Sequence, residues 1–125
     1  MRKVVSNPTD SLDPDDAFWA VSNSRRRQVI LSVDGSTDPV PADVLAVEIA
    51  AREKQVAPEA VDSGDRKTVY IALTQVHLET LADLGAIRYD EREKTVKKSD
   101  TTDLLAEQIR ELTAACEETG GTDAQ

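Results

Sequence analysis

The chain has 125 residues, enough for one domain, and carries 24 acids against 15 bases for a net charge of −9. One Cys excludes an intramolecular disulfide framework, and one Cys with one His excludes a Cys/His zinc site within a chain. No apolar run approaches the ~18 residues of a membrane span, so no membrane partner is expected.

Met1 to Ser11 has no apolar h-region, so no secretory signal is expected there. Residues 1–12 read as a flexible tail. The expectation is a cytoplasmic domain in a reducing compartment. Asp exceeds Glu and Lys is scarce. An acidic, Lys-poor surface fits a salt-rich cytoplasm, where charge repulsion is screened within ~3 Å at molar salt. The alternative is an ordinary acidic domain.

Asp13-Pro14-Asp15-Asp16 starts the first helix. Asp13 serves as N-cap, Pro14 takes the first helical position, and the two acids meet the positive end of the dipole. Ser22-Asn23-Ser24 interrupts the apolar stretch Ala17 to Val21, and Arg25 to Val33 resumes a helical pattern. Asp34-Gly35-Ser36 is turn chemistry. Asp38-Pro39-Val40-Pro41 is stiff and extended, because each Pro restricts its predecessor. A helix then runs to about Glu53, with Val44 to Ala51 supplying a wide apolar face. Lys54 to Gly64 is a polar connector with one loose turn.

A longer helix is expected over 66–84, stopped by Gly85 in a left-handed conformation. Two apolar stripes are visible on it. Val69, Leu73, Val76 and Leu84 form one, and Ile71, Leu78 and Leu81 form the other. Two stripes imply burial on both sides, by the domain itself and by a partner chain. The period then changes. Ala86 to Asp90 alternates, with Ile87 and Tyr89 on one face and Arg88 on the other. Glu91-Arg92-Glu93 is a polar tip and Lys94 to Lys98 a return strand, together a β-hairpin. The last helix spans about 103–118, with Leu105, Ile109, Leu112 and Cys116 on one stripe. Residues 119–125 are expected to be disordered.

Enzyme chemistry is missing. There is no glycine-rich phosphate loop, no H-E-x-x-H and no G-x-S-x-G. His77 lacks an evident nucleophile or orienting carboxylate and reads as a packed histidine. Cys116 reads as a small buried apolar side chain, because its neighbours Glu117 and Glu118 disfavour a reactive thiolate. Asp90, Glu91 and Glu93 read as solvated acids rather than a metal site. No catalytic residue, metal or cofactor is expected.

The informative signal is the element order: three helices, a two-stranded ribbon, then a helix. It predicts a mainly α domain with a small β-hairpin wing, a winged helix-turn-helix over 13–100. A packing or dimerisation helix follows over 101–118. Positive charge concentrates in Arg25-Arg26-Arg27 and in residues 65–98, which hold seven of the fifteen bases. DNA reading needs polar side chains on a groove-sized helix and bases that hold phosphate. Arg66, Lys67, Thr68, Thr74 and Gln75 on the third helix, with Arg92, Lys94, Lys97 and Lys98 on the ribbon, are the candidate DNA-binding residues. Arg25, Arg26 and Arg27 fan over ~200° of a helix, so they cannot all face one partner. They are candidates for either phosphate contact or internal pairing.

Val76-His77-Leu78-Glu79-Thr80-Leu81-Ala82-Asp83-Leu84-Gly85-Ala86-Ile87 resembles the stretch of ArsR-like winged-helix regulators in which the recognition helix runs into the first wing strand. Phe18 to Arg27, Ala46 to Glu53, Val69 to Leu78 and Ile87 to Asp90 resemble small haloarchaeal winged-helix proteins described as transcriptional regulators. The resemblance covers about residues 13–100. It implies a sequence-specific regulator of double-stranded DNA, acting as a homodimer. The metal-sensing branch of the ArsR-like proteins uses Cys and His clusters, which this chain lacks. The alternative is a winged-helix module that binds a protein partner and no DNA, in keeping with the net charge of −9.

Overall fold

The computed structural model describes residues 12–123. Residues 1–11 of the expected N-terminal tail, and 124–125 at the other end, lie outside the described residues.

Helix α1 spans Pro14–Val21. Asp13 caps it, its carboxylate accepting from the Asp15 N–H at 3.0 Å. Asn23 then starts helix α2, Ser24–Asp34, by accepting from the N–H groups of Arg25 and Arg26 at 2.9 and 3.1 Å. A short strand β1, Val40–Pro41, leads into helix α3, Ala42–Lys54. Pro41 offers α3 no side-chain cap. The Ala42 N–H instead donates to the Lys94 carbonyl at 2.8 Å, which ties the start of α3 to the hairpin. Gln55 ends α3 in the left-handed region, at φ 59°. The connector carries one 3-10 turn, Pro58–Ala60.

The third long helix is expected to be regular, and it is not. It consists of α4, Ser63–Ala72, a π turn, Leu73–His77, and α5, Leu78–Asp83. In the π turn the Leu78 N–H donates to the Leu73 carbonyl five residues back. The cause lies in the side chains. Leu73 and Leu78 are five residues apart, which on an α-helix puts them ~140° apart. The wider turn absorbs the extra residue. Val69, Leu73, Leu78 and Leu81 then form one buried line. The two expected stripes are therefore one stripe with an offset. Val76 (53% exposed) and Ile71 (42% exposed) stay outside it.

Gly85 takes φ +87°, the left-handed stop expected of it. Strand β2, Ile87–Asp90, pairs antiparallel with β3, Thr95–Lys98. The return strand starts one residue later than expected, because Lys94 sits in the turn at φ 57°. Strand β1 adds a third, unexpected strand, in sheet order β1-β3-β2 with Val40 opposite Val96. Two prolines mask it in sequence, Pro39 before it and Pro41 within it, since neither can donate a ladder hydrogen bond.

Helix α6, Thr102–Asp123, extends past the expected end at Glu118. Thr102 is fully buried and its hydroxyl donates to the Ala86 carbonyl at 2.7 Å, clamping α6 to the start of the wing. Leu105 and Ile109 enter the core, but Leu112 (49% exposed) and Cys116 do not. The expected burial of Cys116 is thus corrected, because the domain ends beneath Ile109 and every residue over 111–118 is exposed.

The core joins Val29, Ile30 and Val33 of α2, Leu45 and Ile49 of α3, the line on α4 and α5, Ile87 and Val96 of the sheet, and Leu105 and Ile109. Full burial of each such side chain stabilises by ~1.5–3 kcal/mol. The domain is mainly helical with a small antiparallel sheet after α5, a winged-helix-like arrangement as the sequence predicts.

Candidate nucleic-acid interface

The outward face of α4 follows from its buried one. Ile71 is two residues from both Val69 and Leu73, so it lies ~200° round the helix from each. Lys67, Thr68 and Gln75 flank it and are exposed. The Thr68 hydroxyl donates to the Gly64 carbonyl at 3.0 Å, and that of Thr74, half-buried, to the Tyr70 carbonyl at 2.9 Å.

The hairpin stands beside the start of this helix. Ser63, Gly64, Lys67 and Tyr70 line one wall of a groove whose other wall includes Glu93 and Lys94. Asp90 shapes the turn, its carboxylate accepting from the Arg92 and Glu93 N–H groups at 3.0 Å each. Val96 faces the core, so Lys97 faces out, directly opposite Arg88 in the register. Arg88, Arg92 and Lys97 share a shallow concavity on the hairpin with Asp90, Glu91 and Glu93. No ion pair holds any of these three bases within the described residues.

Two of the expected DNA-binding residues are held in ion pairs within the chain, although both side chains stay half-exposed and Arg66 also lines the groove. Arg66 pairs with Asp43 at 3.1 Å. Lys98 lies 3.6 Å from Asp34, which also accepts from Arg110 at 3.0 Å. The remaining candidates, Lys67, Thr68, Gln75, Arg92, Lys94 and Lys97, lie on the helix face, the groove or the hairpin surface. Thr74 is at the margin.

The Arg triplet is engaged inside the molecule. Arg25 makes a two-point pair with Glu53, at 2.7 and 2.9 Å. That hydrogen bond from Arg25 holds Glu53 below its ordinary carboxylate range. Arg26 is 7% exposed. Its guanidinium stacks 3.6 Å from the Trp19 ring centre. It donates to the Trp19 carbonyl at 3.0 and 2.6 Å and to the Ser22 hydroxyl at 2.9 Å. Arg27 donates to the Val21 carbonyl at 2.8 Å. His77 closes this cluster, its Nδ1 3.5 Å from Arg26. Burial lowers the His77 pKa, reinforced by Arg26 and Arg25.

Sequence reasoning left Arg88 and Ile71 out of the candidate set. The signal for Arg88 was present, since it alternates with the core residues Ile87 and Tyr89. Ile71 was masked by its assignment to a second buried stripe. Among the described residues, no three His, Cys, Asp or Glu side chains are grouped to hold a metal ion, and no helix is long and apolar enough to cross a membrane.

The element order, the sheet and the helix beside the hairpin define a winged-helix-like domain. The chain belongs to the family described as Domain of unknown function (DUF7344), whose profile matches residues 18–97. The match runs from within α1 through α2, α3, α4 and α5 to the penultimate residue of β3, and leaves α6 outside. No curated protein and no solved structure matches the sequence.

Proposed function

We propose that the protein is a sequence-specific DNA-binding transcriptional regulator. Helix α4 enters the major groove and the outer face of the β2–β3 hairpin lies on the phosphate backbone. One observation carries this reading. Arg88, Arg92 and Lys97, without an ion pair among the described residues, share one surface, next to a groove that joins Lys67 on α4 to Lys94 on the hairpin turn. Bases gathered beside an exposed helix are part of the footprint a duplex needs, and here they hold it against three acids of the same surface, Asp90, Glu91 and Glu93. The resemblance to ArsR-like and haloarchaeal winged-helix regulators supports the same reading.

The active form is a homodimer. Leu104 and Leu112 of α6 are exposed, as is Phe18 of α1 at 70%. Apolar groups on two helices that touch each other fit the same patch of a second copy. These groups also favour a second reading, a module that docks a protein and binds no DNA.

Fluorescence anisotropy on a mixed duplex pool, titrated from low to molar KCl, tests the first reading against the second. The charge-reversed triple variant Arg88→Glu, Arg92→Glu, Lys97→Glu runs alongside. Saturable binding is expected, with a salt slope that drops by ~2.7 in the variant, about 0.9 per lost phosphate contact. A folded wild-type protein that binds no duplex at any salt discards the DNA reading. Sedimentation of the same preparations reads the dimer, and a monomer at the binding concentration discards that part.

A further inference from the structure

The outward face of α4 is chemically lopsided. Its centre is Ile71, 42% exposed. Thr68 uses its hydroxyl donor on the Gly64 carbonyl, which leaves its methyl as the main group offered outward. Val76, in the π turn, adds a second exposed branched side chain next to Gln75. The Gln75 side chain makes no hydrogen bond among the described residues, so its amide is available for both donation and acceptance. Lys67 lies at the groove side of the face rather than at its centre.

Base edges in the major groove differ in what they demand. Guanine is read best by a two-point Arg or Lys contact. Adenine is read by the amide of Asn or Gln. Thymine presents a C5 methyl, the one apolar group there. The face formed by α4 and the π turn holds an amide and methyl groups where a guanine reader would need a guanidinium. Beyond the π turn stands Glu79, exposed, whose carboxylate repels phosphate and bounds the footprint on that side. We infer that this face reads A·T base pairs, with Gln75 on adenine and Ile71 and Thr68 against thymine methyl groups. The inference rests on the DNA reading above and deepens it to the class of base pair recognised.

The test starts with repeated selection of bound duplexes from a random-sequence library by the wild-type protein. The enriched duplex is then made with deoxyuridine replacing thymidine, which keeps base pairing and removes the C5 methyl. The enriched core is expected to be rich in A·T pairs. The uridine duplex should bind about fourfold more weakly for each methyl group contacted, the factor that corresponds to one buried methyl-sized group. Ile71→Ala should lose a similar factor on the thymidine duplex and little more on the uridine duplex. Ile71 is outside the core, so an unchanged urea midpoint certifies the variant's fold. A G·C-rich enriched core, or equal affinity for the thymidine and uridine duplexes, overturns the inference and leaves the DNA reading standing. A folded protein that binds no duplex overturns both.

Discussion

Arg25-Arg26-Arg27 and the bases of the β2–β3 hairpin are the two positive islands of an acidic chain, and the fold treats them differently. The triplet is the denser island, yet each member has an internal partner: Glu53 for Arg25, the Trp19 ring and carbonyl for Arg26, and the Val21 carbonyl for Arg27. On the hairpin, Arg88, Arg92 and Lys97 have no ion-pair partner among the described residues, although acids adjoin them in sequence. The difference is geometric. A helix fans three consecutive side chains over ~200°, so neighbouring elements supply each with a different acceptor. A strand sends alternate residues to one face, where like charges accumulate opposite one another.

The strongest way to break this contrast is Arg26→Ala. It removes three hydrogen bonds from a nearly buried guanidinium and its stack on Trp19. Urea unfolding should show a loss of ~2–3 kcal/mol. Arg26→Lys should not restore it, because an ammonium cannot stack on the ring and bridge both acceptors at once. Arg88→Ala, Arg92→Ala and Lys97→Ala should each stay within ~0.5 kcal/mol of wild type. A stable Arg26→Ala protein would remove the distinction between the islands.

Much of this arrangement is legible in the sequence, for local reasons. Asp13, Gly85 and the alternation from Ala86 to Asp90 carry their own signals: a cap, a left-handed stop and a change of period. The fold class follows from the order of such signals. The π turn does not announce itself, because a one-residue offset in a helical stripe looks like two stripes. Val69 and Leu73 seem to belong with Val76, when in three dimensions they continue into Leu78 and Leu81. Strand β1 is set by pairing with Val96, 56 residues away, which no local pattern around two prolines encodes. The interface is legible to the extent that it is periodic. Lys97 and Gln75 are found from the sequence, whereas the pairing of Arg66 with Asp43 and of Lys98 with Asp34 depends on which distant acid the fold brings near.

A smaller effect probes the join between the Arg cluster and the π turn that follows α4. His77 belongs to the π turn and meets Arg26 through Nδ1. Burial, then Arg26 and Arg25, lower its pKa below the ordinary 6.5. At pH well above 6.5 the imidazole is neutral in both folded and unfolded chains, and the folded state is at full strength. As pH falls through 6.5 the unfolded chain takes up the proton first, so stability drops until the folded imidazole is protonated as well. Glu53 acts in a lower window, since its pKa is held below 4.5 and the stability from its pair is lost as pH falls through that lowered value. Urea midpoints should therefore decline in wild type as pH falls through 6.5, and His77→Gln should flatten that decline. An equal decline in the variant would mean that neither burial nor the neighbouring arginines act on His77.

The finest test separates two adjacent residues. Lys97 and Lys98 are neighbours in β3, and the strand sends them to opposite faces. Lys98 reaches Asp34, which Arg110 of α6 also holds, so its charge helps fasten the sheet to α2 and α6. The pair is half-exposed on the Lys98 side, so it stabilises by ~0.5 kcal/mol and weakens with salt. A double-mutant cycle of Lys98→Ala with Asp34→Ala should return a coupling of that size at low salt, while Lys97→Ala with Asp34→Ala should return none. On duplex DNA the order reverses: Lys97→Ala should reduce the salt slope by ~0.9 and Lys98→Ala should leave it unchanged. Equal slopes for the two variants would mean that the hairpin's outer face is not the one that meets phosphate. Sequence proximity would then predict the function of these bases better than the pleat of the strand does.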